Sequence, residues 1–493
     1  MKFKLNKLFI LLIFFLNLGF RLYFVSNTEF MSDDFSYFHL RNLIQLKTTG
    51  QLGYDSLSYG GRDIFYPLTY YYVILLFSLL LPLELIIKIL PEILISILPV
   101  IIYLTVKLIV RNKYIALFSG LVAGFLPVTI QKTLNQASIY SLALPLIFLM
   151  FYLFLEVIYK KKNIGLFIIL SFILPIIHPS TFIFVLTLIF YSILLFSESV
   201  PIKGIKLESI LFSIFIMLII GFITYNKAFL EYGIKFVYAN SPLNYLETFR
   251  GHKLSDPLNY IGIIPLIFGS IGIYLGIFKY RKNSVFLFSS LILSTIALLL
   301  FSLIEYDLAM MFMGLSFSIM AGIALKHFFS YLEITKFQRY KNIIIIAICV
   351  ITFISIYPSF GVAFNVMDNT LTTEEVEIIQ RMGGRVDDDS SIMANIEEGH
   401  YITYFANRKN VADTYYLFAP DVDQRLNDID LVYTSWSRAI ALNTLHKYKV
   451  SYIYLSERTK LKYNIEDLKY IEDEKCFKKV DEYKGNKFYQ VGC

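Results

Sequence analysis

Long apolar runs, broken by short polar or basic stretches, fill the chain from about residue 8 to residue 360. Eleven of them approach the length needed to cross a bilayer, near residues 8–25, 91–110, 114–130, 139–159, 163–177, 180–197, 207–225, 258–278, 284–304, 308–325 and 342–360. A twelfth run, Pro67 to Pro82, either spans as well or lies in the interface as part of the first loop. Beyond Phe360 the pattern changes to short alternating elements with frequent charges. There it predicts helices over Thr372–Met382, His400–Ala406 and Trp436–Tyr448, and strands over Ser391–Asn395, Val411–Asp413 and Val450–Leu455. Helix and strand in alternation imply a small α/β layer domain.

Composition confirms the class: 56% of the 493 residues are hydrophobic, with 45 Phe and 37 Tyr. The formal net charge of +7 does not point to nucleic acid, because Lys and Arg fall in short clusters between apolar runs. Those clusters set the topology. A basic Met1–Lys7 precedes the first span, whose end carries Arg21 and no small-residue cleavage site, so it reads as a retained anchor with a cytoplasmic N-terminus. If Pro67–Pro82 does not span, Arg111–Lys113, Lys160–Lys162, Lys203 with Lys206, Lys279–Lys282 and the Lys326–Lys341 group all fall inside. The acidic first loop, Gln131–Ser138, His178, the loop 226–257, Glu305 to Asp307 and everything after Ser359 then fall outside. The fold class is thus a polytopic α-helical membrane protein of about 11–13 spans with a small extracytoplasmic α/β C-terminal domain. Its domains are 1–360, including a large first outer loop 26–90, and 361–493. The three cysteines make no metal spacing, and Cys476 and Cys493 can pair only if the tail meets an oxidising compartment.

The candidate chemistry is concentrated in Met31-Ser-Asp-Asp-Phe-Ser-Tyr-Phe-His-Leu-Arg41. On a helix, Asp34, Tyr37, Phe38 and Arg41 share a face. A carboxylate there can hold a hard cation and Arg41 can fork onto phosphate oxygens. The plainer alternative is a solvated loop whose aspartate caps a helix. Among other positions, His178-Pro-Ser180 reads as a capped helix break, Glu305 and Asp307 as helix-terminal acids, and Glu247, Arg250 and His252 lie in the 226–257 loop.

The ordered set Asp34, His39, Arg41, Gly50, Tyr54-Asp55, Gly61-Arg62 and Tyr66-Pro67 resembles the first outer loop of oligosaccharyltransferase catalytic subunits of archaea and eukaryotes. That family has the GT-C glycosyltransferase fold and uses sugars linked through phosphate to polyprenol, dolichol included. The resemblance implies that Asp34 is the catalytic or metal-binding carboxylate, with His39, Arg41 and Arg62 at the donor phosphate. It extends to Ser119-Gly120 through Pro127, where the next loop places Asn135 and Gln136 at the family's second acidic motif. A cofactor Mg²⁺ or Mn²⁺ would then be held by Asp34 with Asn135, an amide that contributes no charge. It extends again to Gly399, Ala406-Asn-Arg408 and Asp413, with Asn395-Ile-Glu-Glu398 in place of the family's Trp-Trp-Asp-Tyr. The acceptor-binding residues so implied are Glu397, Glu398, His400 and Arg408.

The expected activity is therefore transfer of a sugar or oligosaccharide from a polyprenyl phosphate-linked donor to a glycan or protein acceptor on the outer face of the cell membrane. Two other classes compete with it. A catalytically inactive GT-C-like scaffold fits the missing second acidic motif and the missing Trp-Trp-Asp-Tyr. A transporter of lipids or small molecules would show ionisable residues and broken helices within the spans, whereas most charges here lie at span ends.

Overall fold

The computed structural model describes residues 2–233, 256–471 and 475–493. Glu247, Arg250 and His252 lie outside them. By its internal packing the chain divides into two compact units. The first takes residues 2–27, 67–231 and 256–368, and the second takes 28–66, 232–233 and 369–493 less the three undescribed residues.

The first unit is helical throughout, as runs of apolar residues in lipid require, because a helix satisfies its own backbone polar groups. Among the described residues nine helices are long and apolar enough to cross a membrane, and two shorter apolar ones, Lys113–Gly124 and Ile164–Ile177, complete the expected set. The protein is a multi-pass membrane protein. Thr69–Phe77, the helix inside the Pro67–Pro82 run, has nine residues and is too short to span.

Two span boundaries differ from those read in the sequence. The second span begins at Leu83 and runs to Val110, with a break between Ile95 and Leu98, because Glu92 is paired inside the unit and does not end the helix. The run 114–130 is split into Lys113–Gly124 and Pro127–Gln131, since Pro127 cannot donate to the preceding turn. Glycines set the closest approach of two spans. A Cβ on Gly272 would lie 2.0 Å from the Met320 carbonyl oxygen, so Ile263–Leu275 and Tyr306–Ile334 touch through their backbones.

The second unit is built on a five-stranded mixed sheet: β3 Ser391–Met393, β4 Lys409–Asn410, β5 Val450–Leu455, β6 Phe477–Tyr483 and β7 Asn486–Val491, ordered β4-β3-β5-β7-β6. β3 runs parallel to β4 and β5, and β5 and β6 both run antiparallel to β7. A two-stranded ribbon of β1 Tyr54–Asp55 and β2 Arg62–Asp63 belongs to the same unit.

The expected helix at 372–382 is present as Thr373–Gly383, started by a capping box between Thr372 and Glu375. The expected strand at 411–413 is displaced to Lys409–Asn410, because Val411 and Ala412 turn into the core and Asp413 is taken up by side-chain bonds. Helices Val422–Thr434 and Glu457–Tyr463 and the β6–β7 hairpin carried no signal read in the sequence. Cys476 and Cys493 form a disulfide across the open end of that hairpin.

Candidate functional site

The site builds outward from one helix of the second unit, Asp34–Thr49. Asp33 is its N-cap residue, in extended conformation, and its carboxylate accepts a bond from the Ser36 hydroxyl. Asp34 therefore sits in the first turn, where the free N–H groups favour negative charge. Its side chain is 6% exposed. One oxygen, Oδ1, accepts the backbone N–H of Tyr401 at 2.8 Å, and Oδ2 is buried with no hydrogen-bond partner. Burial, together with the Asp413 charge, holds its pKa well above the ordinary aspartate value of 3.8, against the pull of the Tyr401 and His400 backbone.

The helix docks by its aromatic face onto the segment 399–406. Tyr37 packs against Tyr401, Tyr404 and Phe405, and Phe38 lies against His400 and Tyr415. Gly399 lets the start of this segment lie against Ala412 and Asp413, since a Cβ there would stand 2.3 Å from the Ala412 carbonyl oxygen. His400 is fully buried beneath Phe35 and Phe38, its Nε2 3.6 Å from Asp413 Oδ1. Burial lowers its pKa to about 4 although Asp413 opposes the shift, so the ring is neutral at physiological pH. His39 is buried between the edges of Phe35 and Tyr66.

Both arginines of the first loop are held by carboxylates. Arg41 makes a two-pronged pair with Asp55, whose Oδ1 also accepts the N–H groups of Leu57 and Ser58. Arg62 donates to Asp413 Oδ1 at 2.9 Å and to the Tyr415 carbonyl, flanked by the rings of Tyr59 and Tyr415. Asp413 is the hub. It also accepts from Ser58 at 2.5 Å and Asn410 at 3.0 Å, and although burial works to raise its pKa, Arg62, His400 and these bonds bring it down to about 2. Arg41 keeps some exposure, at 16% of its side chain; Arg62 is sealed.

The four residues implied at the acceptor do not converge on one surface. Glu397 is exposed and faces Lys462 at 3.4 Å, while Glu398 is buried and accepts the Thr459 hydroxyl at 2.8 Å. The hydroxyl bound there belongs to the chain itself. Arg408 donates to the Val386 and Asn407 carbonyls and pairs with the exposed Asp388. His400 is interior, as described.

Asn135 lies in the first unit, in a left-handed turn, and its backbone N–H donates to Glu92 Oε1 at 2.6 Å. The other Glu92 oxygen pairs with Arg21 at 2.9 Å, and Arg21 also donates to Thr133 and Asn17. This buried network fixes the loop that follows Gln131. In the sequence Arg21 only interrupts the end of the first span and Glu92 is not singled out, although a charge within an apolar run is the ordinary mark of a functional or structural centre in a membrane protein. His178 caps the short helix Pro179–Thr181 through its ring, accepting the Ser180 N–H.

Mg²⁺ and Mn²⁺ are hard ions that take oxygen ligands, often one or two carboxylates with water and substrate phosphate. Among the described residues no group of three or more His, Cys, Asp or Glu side chains comes together. Among the described residues two buried carboxylate oxygens lack a hydrogen-bond partner, Asp34 Oδ2 and Glu398 Oε1, and the raised pKa of both groups makes them weak ligands. The described residues do not by themselves form a metal centre.

No family model matches the sequence, and no curated protein does. Solved structures do match. The oligosaccharyltransferase AglB from Archaeoglobus fulgidus, in complex with an inhibitory peptide and a dolichol-phosphate, superposes with a TM-score of 0.68 at 13% identity, over 92% of this chain and 69% of that one. The fold is that of the GT-C glycosyltransferases. The same archaeal enzyme with Zn and sulfate gives 0.62 at 12% identity, over 94% and 71% of the two chains. ArnT from Cupriavidus metallidurans, bound to undecaprenyl phosphate, gives 0.51 at 11% identity, over 98% and 97%. A GT-C fold thus accommodates this sequence almost from end to end. What sequence reasoning missed within it is the pairing of Arg41 with Asp55 and of Arg62 with Asp413. All four residues stood in the quoted motifs, but their mutual contacts left no local signal.

Proposed function

We propose that the protein is a membrane glycosyltransferase that moves a sugar or oligosaccharide from a polyprenyl phosphate-linked donor to an acceptor on the outer face, with Asp34 as its base. The observation that carries this reading is the Asp34 carboxylate, held through Oδ1 by the Tyr401 N–H and leaving Oδ2 without a partner at a helix N-terminus. In the step assigned to it, Oδ2 takes the proton of the acceptor's nucleophile as that atom bonds the anomeric carbon, and the carbon–oxygen bond to the donor phosphate breaks. The phosphate leaves with the bonding pair. Arg41, partly exposed, is the cation for which a phosphate competes with Asp55; sealed Arg62 positions the loop by holding Asp413. In this reading the acceptor is selected by the C-terminal region through residues other than the buried Glu398 and His400, and the N-terminus is cytoplasmic.

A second reading draws support from the same ion pairs. With Arg41 and Arg62 both matched to carboxylates, the chain also suits a GT-C-like binding protein without turnover. The test is transfer in membranes supplied with radiolabelled polyprenyl-linked sugars, comparing wild type with Asp34→Asn, each with and without Mn²⁺. Loss of general-base help lowers the rate by about a hundredfold or more. In wild type, kcat/KM rises with pH through an ionisation above the ordinary aspartate value of 3.8. Absence of transfer by wild type leaves the binding-protein reading standing, and transfer that is indifferent to Asp34→Asn removes Asp34 as the base.

A further inference from the structure

A cavity of about 960 Å³ opens in the helical unit, lined by members of the basic clusters between the spans. Six cations line it: Lys107, Arg111, Lys160, Arg281, Lys282 and Lys326. No aspartate or glutamate lines it. The remainder of the wall is mostly apolar, with Leu104, Leu108, Ile109 and Val200 beside Tyr152 and Tyr159.

Part of this charge has a local explanation. Lys107 and Arg111 stand at the C-terminal end of Leu98–Val110 and Lys160 at that of Tyr140–Lys160, where a cation meets the free carbonyls of the last turn. Lys160 also pairs with Glu156 at 2.9 Å, and Arg281 lies 3.8 Å from Glu198. Among the described residues Lys282 and Lys326 have no carboxylate partner, and Lys282 meets only the Tyr280 ring, 5.5 Å away. Lys282 is the N-cap residue of Asn283–Leu300, the helix end that repels a cation, and Lys326 sits inside Tyr306–Ile334, away from either terminus. Burial, with the Lys326 and Arg111 charges beside it, draws the Lys282 pKa below its ordinary value. Like charges brought together from separate helices raise the energy of the empty cavity and are relieved by an anion.

We propose that this cavity is a second binding site, distinct from Asp34 and its surroundings, for a phosphate-bearing anion, with Lys282 and Lys326 as its principal ligands. The apolar wall favours a phosphate carried on a lipid, whose chains continue along the helices while its head group meets the cations. The charge pattern of the sequence puts this end on the cytoplasmic side, opposite the proposed catalytic face. A site of this kind would tie the protein to anionic lipid of the inner leaflet.

The test uses the full-length protein in detergent, stripped of lipid and titrated with phosphatidylglycerol, phosphatidylcholine, inorganic phosphate or glycerophosphoglycerol. Bound mass by native mass spectrometry and thermal unfolding are both read. Phosphatidylglycerol is expected to bind at least about tenfold more tightly than phosphatidylcholine, and Lys282→Gln with Lys326→Gln to remove about tenfold of that affinity. Lys336→Gln with Arg339→Gln, an exposed basic pair, serves as the control and leaves binding unchanged. Should inorganic phosphate match phosphatidylglycerol, the site stands and its ligand is a soluble anion. Equal binding of the two phospholipids, with no effect of phosphate, overturns the proposal. So does an equal loss in both double variants. If the Lys282/Lys326 variant does not fold, displacement of phosphatidylglycerol from wild type by glycerophosphoglycerol decides between a head-group site and mere lipid coating.

Discussion

At the scale of single residues, the second unit sets two titratable groups against one another. His400 binds no proton in the folded chain until about pH 4, whereas its unfolded counterpart takes one up below 6.5, so its contribution to stability is present above 6.5 and is lost as pH falls toward 4. Asp34 acts with the opposite sign: its raised pKa favours the folded state while the carboxyl is protonated, and that contribution is lost as pH rises from 3.8 through the folded value. His400→Gln should therefore flatten the acid-side loss between pH 6.5 and 4 relative to wild type, as measured by thermal unfolding across that window. If both proteins lose stability in parallel there, His400 is not buried in its neutral form. How much of this was legible depends on the residue. Asp34 stood out in the sequence because an acidic residue opened an aromatic-rich helix near the membrane; its protonation bias did not, since that arises from burial and from Asp413, hundreds of positions away.

At the scale of elements, legibility followed periodicity. The capping box at Thr372 and the β run Val450–Leu455 appear where the sequence put them, because both are local patterns. The β6–β7 hairpin did not announce itself, since Phe477–Tyr483 carries three charged residues in its exposed half and turns through Lys484-Gly485 in left-handed conformation. Gly399 is the element-scale feature with the most direct test. It lets the segment 399–401 lie against Ala412 and Asp413, and the Tyr401 N–H that reaches Asp34 is two residues on. Gly399→Ala should cost about 1–3 kcal/mol of stability through overpacking and lower transfer activity beyond the loss of folded protein. Calorimetry beside an activity assay on the same preparation separates the two, and an unchanged melting temperature would mean that the backbones are not in contact.

For the whole molecule, the apolar runs revealed the membrane-spanning unit almost completely, and the GT-C likeness extends over more than nine-tenths of the chain in each match. The disulfide belongs at this scale, since it closes the C-terminal hairpin and thereby the edge of the sheet. Cys493→Ser should lower stability by about 2–4 kcal/mol, and reductant should bring wild type down to the variant's melting temperature while leaving the variant unmoved. The composition of the second unit was less legible. Ser58, Tyr59 and Arg62 bond to Asn410, Asp413 and Tyr415 across about 350 residues, and contacts so distant in sequence have no period to betray them. That partition bears on how proteins of this fold are recombined. A chimera joined after the last span would inherit a C-terminal region whose cores expect Tyr59 and Phe38 from a different parent. Residues 28–66 and 369–493 pack as one compact unit, and a graft that keeps them together carries the Asp34 carboxylate and the Tyr401 N–H that holds it in a single inheritance.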